Sequence, residues 1–484
     1  MKKSIFKNIL YKITLNFFNL AVPLLIGPYV FRALGSEAMG RVKYGESIFN
    51  YFFIFASFGI YQYGLREISR IKNDKQKVAR LFTSLFSISI ITNLLFLIIF
   101  LIVSYMGFGD EVIFPILLVF ALNFIFNVFY VEWINEAFEN YDFITVKTIF
   151  VKIIYIILLF TFIKTSDDYL MFAILLVIST FLNNVISFIY VKRNVKFDFS
   201  GLSIKPHLKP LLLVVIFMNG NVLYTQLDIF MLGRFVSEKS VSFYIMSQQI
   251  TMIISVLMLS IVQVTIPRLS FLLGTKDETA YLALLHKVTR VYFMLLFPAA
   301  IGLYIIADIG VIVYGGKEFA EAGSVLTIFT FYMVLLGIDS ILSNQVLYVK
   351  KKEKILVRLI IISGLINLIL NIGCLYLGVF SPETAIATTV FSTLVLVVME
   401  FVYVRKVLKV PLRLITGDSL KYFLFALTFF PISYVVKQVT EGVFDRFIIT
   451  IIVNVGVYAS LLFISKDAVL RELIKKIRVK VKGS

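Results

Sequence analysis

Long apolar runs separated by short polar breaks make up almost the whole chain, and none shows the sustained period-two alternation of a half-buried strand. A hydrocarbon layer of roughly 30 Å takes about 20 apolar residues in a helix. That criterion predicts fourteen helical spans, near 13–34, 44–64, 81–106, 112–134, 143–163, 169–191, 208–233, 241–265, 286–307, 322–347, 355–378, 383–404, 419–436 and 443–465. The basic start "MKKSIFKNILYK" leads into a run longer than a signal-peptide core and without a small-residue cleavage site, so it reads as an uncleaved first span.

Composition agrees with this pattern. With 60% hydrophobic and only 16% charged residues in 484, the chain reads as an all-α integral membrane protein. A net charge of +18 could point to nucleic acid, but most Lys and Arg fall in the N-terminus, the even-numbered loops and the C-terminal tail. Such segregation is the positive-inside pattern. It predicts that both termini are cytoplasmic and that the basic loops, "REISRIKNDKQKVAR" and "VKKKEK" among them, meet anionic lipid headgroups of the bilayer rather than nucleic acid. In the tail, Val469, Leu470, Leu473, Ile474 and Ile477 share one helical face, as in a helix lying along the membrane surface. One cysteine and two histidines supply neither a disulfide framework nor a metal site, and no cofactor is expected. The longest external connection, 308–321, is too short for a catalytic domain, and no nucleophile-elbow, phosphate-loop or zinc-protease motif occurs. An enzyme is therefore not expected.

Two stretches carry the same charged corner: "VFRALGSEAMGRVKYGESI" at 30–48 and "DIFMLGRFVSEKSVSFYIMSQQI" at 228–250. Further on, "TIFVKII" at 148–154 matches "KILVRLI" at 354–360, pairing Lys152 with Arg358, and Asn135-Glu136 matches Asn344-Gln345. Spans 1–6 and 7–12 thus read as homologous halves. Each holds an even number of spans, so the repeat is parallel, about an axis along the membrane normal. The architecture expected is two six-helix lobes, 1–195 and 196–410, around a central cavity, followed by two extra helices in 411–465 and a basic amphipathic cytoplasmic tail, 466–484.

The same segments, with "WINEAFENYD", "VTIPRLS", "YGGKEFAEAGSVLTIFTFYM" and "NQVLYVKKKEK", resemble the polysaccharide-transport branch of the multidrug/oligosaccharidyl-lipid/polysaccharide exporter superfamily over about 9–410. The resemblance implies a flippase of the bacterial cytoplasmic membrane. It would move undecaprenyl-diphosphate-linked oligosaccharide repeat units of capsule or O-antigen type by alternating access, beside a polysaccharide polymerase and glycosyltransferases. A lipid II flippase and a multidrug cation antiporter of the same superfamily are the alternatives, with a membrane glycan polymerase or ligase further off. Coupling to protons, sodium or membrane potential stays open.

A diphosphate crossing hydrocarbon calls for cations facing a wet cavity. Candidates are Arg32, Arg41 and Lys43 at the outer end of span 1, Arg234 in the equivalent corner, and Lys152 and Arg358 within spans 5 and 11. Asn16 and Asn19 in span 1, with Asn219 and Asn221 in span 7, could contact sugar hydroxyls or join helices. For gating or ion coupling the candidates are Asp228, Asp339, Glu46, Glu132 and Glu136, with Asp228 and Arg32 expected as an external gate pair. Glu132, Glu136 and Glu139 share one face at the cytoplasmic end of span 4, and Glu400 reads as interfacial. Pro23 and Pro298 are expected to kink their helices.

Overall fold

A computed structural model describes residues 5–414 and 416–472, the side chains of 5–6, 8–10, 12–13, 216–225 and 257 excepted. Among the described residues every regular element is helical: α1 (Ile5–Ser57), α2 (Ile60–Ile71), α3 (Lys75–Phe108), α4 (Phe114–Asn127), α5 (Glu132–Ala137), α6 (Tyr141–Phe162), α7 (Tyr169–Asn194), α8 (Lys205–Phe235), α9 (Glu238–Gly274), α10 (Glu278–Gly315), α11 (Ala322–Ser340), α12 (Glu353–Tyr376), α13 (Pro382–Val402), α14 (Gly417–Leu427), α15 (Phe429–Val439) and α16 (Val443–Ile464), with a few single 3-10 turns. Two π-helical stretches, Ile341–Tyr348 and Tyr403–Val407, continue α11 and α13. Among the described residues ten segments are long and apolar enough to cross a membrane, Thr14–Ile71 taking in α1 and α2 and Gly417–Val439 taking in α14 and α15, or eleven if the bent pair Glu238–Val256 and Met258–Gly274 is one span. The protein is thus a multi-pass, all-α membrane protein.

The spans differ from the expected set in instructive ways. The first two are one continuous helix, α1, broken only at Gly35, where φ is 75° and ψ 179°. A side chain in that left-handed region would be strained, so glycine lets the chain turn there without a loop. The fourth span is shorter than expected, α4 having 14 residues, and the short α5 follows it. The thirteenth divides into α14 and α15 at Thr428. Helices α1 and α10 run through Pro23 and Pro298.

The chain packs as two compact units, Met1–Ser242 and Phe243–Ser484. In the first, α1 is the centre and touches α3, α4, α6, α7 and α8. In the second, α10 packs against α11, α14, α15 and α16, while α13 lies between α11 and α12. Because lipid tails are as apolar as the side chains they replace, close packing and internal hydrogen bonds hold such helices together. Asn93 of α3 is bonded to Asn127 of α4 at 3.0 Å, and Thr92 donates to the carbonyl of Ala56. In the second unit Asn367 of α12 donates to Thr389 of α13 at 3.0 Å and Ser363 donates to the carbonyl of Ser392.

At one end of the first unit α2 and α5 form a separate hydrophobic cluster around Trp133, Phe82, Ile68 and Ile134. The indole sits on Gly64, where an added Cβ would lie 2.5 Å from the ring. Gly64→Ala should therefore lower stability by about 1–3 kcal/mol through overpacking. In α12, Gly373 has nothing within 4 Å of a built Cβ, so Gly373→Ala should be neutral or gain up to about 1 kcal/mol from helix propensity. Thermal unfolding in detergent compares the two, and equal melting temperatures would show that the indole yields at no cost.

Candidate functional site

The two copies of the charged corner pack against each other. A Cβ on Gly40 would fall 1.7 Å from the backbone oxygen of Glu238, and one on Gly233 would fall 2.2 Å from the ring of Tyr44. Only glycine permits these approaches. The contact brings Arg41, six residues past Gly35, onto the start of α9, and its Nε donates to Glu238 Oε2 at 2.8 Å and Oε1 at 3.0 Å. Its Nη2 also meets Glu37 at 3.1 Å, and the guanidinium lies 5.0 Å from the centre of the Tyr169 ring. Glu37 and Glu238 are the acids of the two Ser-Glu pairs. One arginine thus gathers both copies of the motif, and its planar fork suits carboxylates in two directions. In the other corner, Arg234 donates to Glu111 at 2.7 Å and covers the ring of Phe108.

Along α1 from this latch, Lys43 and Glu46 pair at 2.6 Å. Lys152 lies eleven residues into α6, a depth of roughly 16 Å. Its Nζ donates to Asn19 Oδ1 of α1 at 2.6 Å, and no carboxylate among the described residues is within ion-pair distance of it. Asn16 is exposed on the same helix. Asp228 is fully enclosed, with Tyr51 in reach of its charge, whereas Arg32 is exposed. Asn219 and Asn221 lie outside the described side chains. In the second unit Arg358 is exposed near the start of α12.

The row of acids after α4 divides among three separate sites within its own unit. Glu132 takes Lys147 of α6 at 3.0 Å together with the hydroxyl of Ser187, in a nearly enclosed site. Glu136 accepts from Tyr61 at 2.9 Å, and Glu139 pairs with Lys72 at 3.0 Å. Partial burial strengthens such pairs over exposed ones but also charges them with desolvation.

Glu400 is not interfacial as expected from its place near a span end. It is fully buried and bonded to Ser343, because α13 is sandwiched between α11 and α12 at that level. Ser343 meets Asp339 as well. Sequence reasoning also missed Glu238 and Lys147. The repeated Ser-Glu could have flagged Glu238, and Lys147, between Thr145 and Thr148, lies inside the span expected at 143–163. Nothing local marks Ser343.

Residues 5–273, more than half of the chain, match the family described as polysaccharide biosynthesis protein. The chain belongs to that family. A putative O-antigen transporter of Shigella dysenteriae is 22% identical over 376 residues, covering 76% of this chain and 93% of the relative. A second putative O-antigen transporter, from Escherichia coli strain K12, is 26% identical over 172 residues, covering 34% and 40%. Among solved structures, the lipid II flippase MurJ in an inward closed conformation superimposes with a TM-score of 0.73 at 17% identity, covering 96% of this chain and 100% of that one. An inward-facing multidrug resistance MATE family transporter of the MOP superfamily gives 0.63 at 16% identity, covering 81% and 94%. The polysaccharide-transport resemblance read from the corners is thereby shown, and the fold is of the MurJ kind.

Arg41→Gln should cost about 1–3 kcal/mol, because it leaves Glu238 partly buried without its cation, and Glu238→Gln should cost less, about 1 kcal/mol, because Arg41 keeps Glu37. The double variant should fall short of the summed losses by on the order of 1 kcal/mol. A double-mutant cycle on thermal unfolding measures this, and simple additivity would dissolve the latch.

Proposed function

We propose that this protein is a flippase for undecaprenyl-diphosphate-linked oligosaccharide repeat units, carrying them from the inner to the outer leaflet of the bacterial cytoplasmic membrane by alternating access. Its relatives are named as transporters, and the family is one of polysaccharide biosynthesis. The observation that carries the reading is Lys152, a cation at mid-span held by one neutral amide rather than by an acid. A charge at such depth is costly unless it serves a polar path. A diphosphate can displace Asn19 and take up the positive charge, while its sugars pass the Lys43–Glu46 pair and its polyprenyl tail stays in lipid. The Arg41–Glu238 latch holds the two corners together on the external side, and its opening would release the headgroup. Both termini and the basic loops face the cytoplasm in this reading, beside the glycosyltransferases that build the repeat unit.

The same lysine disfavours a multidrug cation antiporter, whose cargo it would repel. Depletion of the protein should cause a lipid-linked glycan to accumulate on the cytoplasmic leaflet, measured by its accessibility to an enzyme added to inside-out vesicles. Accumulation of none would remove the flippase reading. Lys152→Ala should abolish export, Lys152→Arg should retain much of it, and Asn19→Ala should leave it within several-fold of normal. Full export by Lys152→Ala would return that residue to a packing role. Reporters fused after Arg80, Lys209 or Lys352 should read cytoplasmic and those after Gly109 or Ser381 external.

A further inference from the structure

In the second unit, α11 and α13 each carry one acid and each change to π-helix within four residues of it. Asp339 precedes the stretch Ile341–Tyr348, and Glu400 precedes Tyr403–Val407. Such stretches add a residue to the turn and are frequent at functional sites. Here they bring the hydroxyl of Ser343 between the two acids, 2.7 Å from Asp339 Oδ1 and 2.7 Å from Glu400 Oε1. A hydroxyl has one hydrogen to donate. It can satisfy one carboxylate, so the second short contact needs a hydrogen from a carboxylic acid. Glu400 is wholly enclosed and its Oε2 has no hydrogen-bond partner, which a carboxylate oxygen would require and a neutral acid tolerates far better.

Nor does a cation neutralise the pair. Among the described residues no Lys, Arg or His lies within ion-pair distance of either carboxyl. The titratable group facing Asp339 from α10 is Tyr292. On α12 Glu353, Lys354 and Arg358 are exposed, or nearly so, at its start, and on the stretch after Glu400 Arg405 and Lys406 are exposed. Of the two acids Asp339 is the less enclosed.

We propose that Asp339 and Glu400 share one exchangeable proton through Ser343, and that this pair is the site at which transport takes up and releases a proton. Loading transfers a proton from a hydronium ion to a carboxylate oxygen of Asp339, leaving water and the acid–carboxylate pair. Release returns it to water when α11 and α13 part, leaving two carboxylates whose repulsion favours the parted state. The inference deepens the flippase reading and rests on it only for the use made of the proton.

Infrared spectroscopy of the purified, full-length protein in lipid nanodiscs, through hydrogen–deuterium exchange at neutral pH, tests the proton directly. The wild type should show the carbonyl band of a protonated, buried carboxylic acid. Glu400→Gln and Asp339→Asn, near-isosteric changes, should each remove or displace it, and Ser343→Ala should shift it by deleting the bridging bond. Absence of the band in the wild type, or an unchanged band in all three variants, overturns the shared proton. Loss of the band on adding sodium chloride would overturn it in favour of a cation site. The coupling role is read separately, as surface glycan exported by cells over a range of external pH. Asp339→Asn should cut export several-fold and flatten its pH dependence, and export with an unchanged pH profile overturns coupling. The infrared outcome does not depend on which glycan is carried, so failure of the flippase reading, seen as no accumulated intermediate, would be distinguishable from failure of this one.

Discussion

The structure turns on a contact of backbone against backbone: Gly40 of α1 lies on the carbonyl of Glu238 at the start of α9. Most of the arrangement on that side of the first unit follows from this contact. It needs glycine at Gly40 and Gly233, it fixes where α8 ends relative to α1, and it presents Glu238 to Arg41 with both carboxylate oxygens in reach. The turn at Gly35 lets one helix supply both the arm that packs on α6 and the segment that carries Arg41 and packs on α8. A backbone contact of this kind is all-or-none, since neither side has a flexible end to yield. Packed surfaces of that sort separate as units rather than deform, which suits a latch.

Charge in the protein is sorted by what answers it. The latch and the Lys147–Glu132 site join opposite charges in partly buried places, where removing one partner would strand the other. Among the described residues Lys152 has an amide and no acid for a partner, which leaves its charge available to an anion. Among the described residues Asp339 and Glu400 have a hydroxyl and each other, and no cation. These last two arrangements are poor at holding helices together and well suited to binding something that comes and goes. Helix cohesion is left to neutral groups, the asparagine and hydroxyl bonds between α3 and α4 and between α12 and α13. Such bonds are worth about 0.6 kcal/mol on average in a membrane, so several are needed at each contact.

The sequence by itself determined the helical class, the membrane and the two matching corners. Each of these depends on properties read locally: apolar length, the period of the pattern, and a repeated string such as Leu-Gly followed by Ser-Glu. Lys152 stood out as a candidate for the same reason, since a base in apolar surroundings is visible wherever its helix packs, and Arg41 stood out through the repeated corner. The partners were not legible. Whether Arg41 meets Glu238, 197 residues away, or Ser343 meets Glu400, 57 away, depends on which helical face is turned inward and how far each helix slides on its neighbour. Those are set by small residues and by changes of helical pitch. One extra residue in a π-turn rotates every later side chain by about 100°, and hydropathy does not register it. Tertiary packing alone therefore moved Glu400 from a span end into the core and turned a line of acids after α4 into three separate pairs.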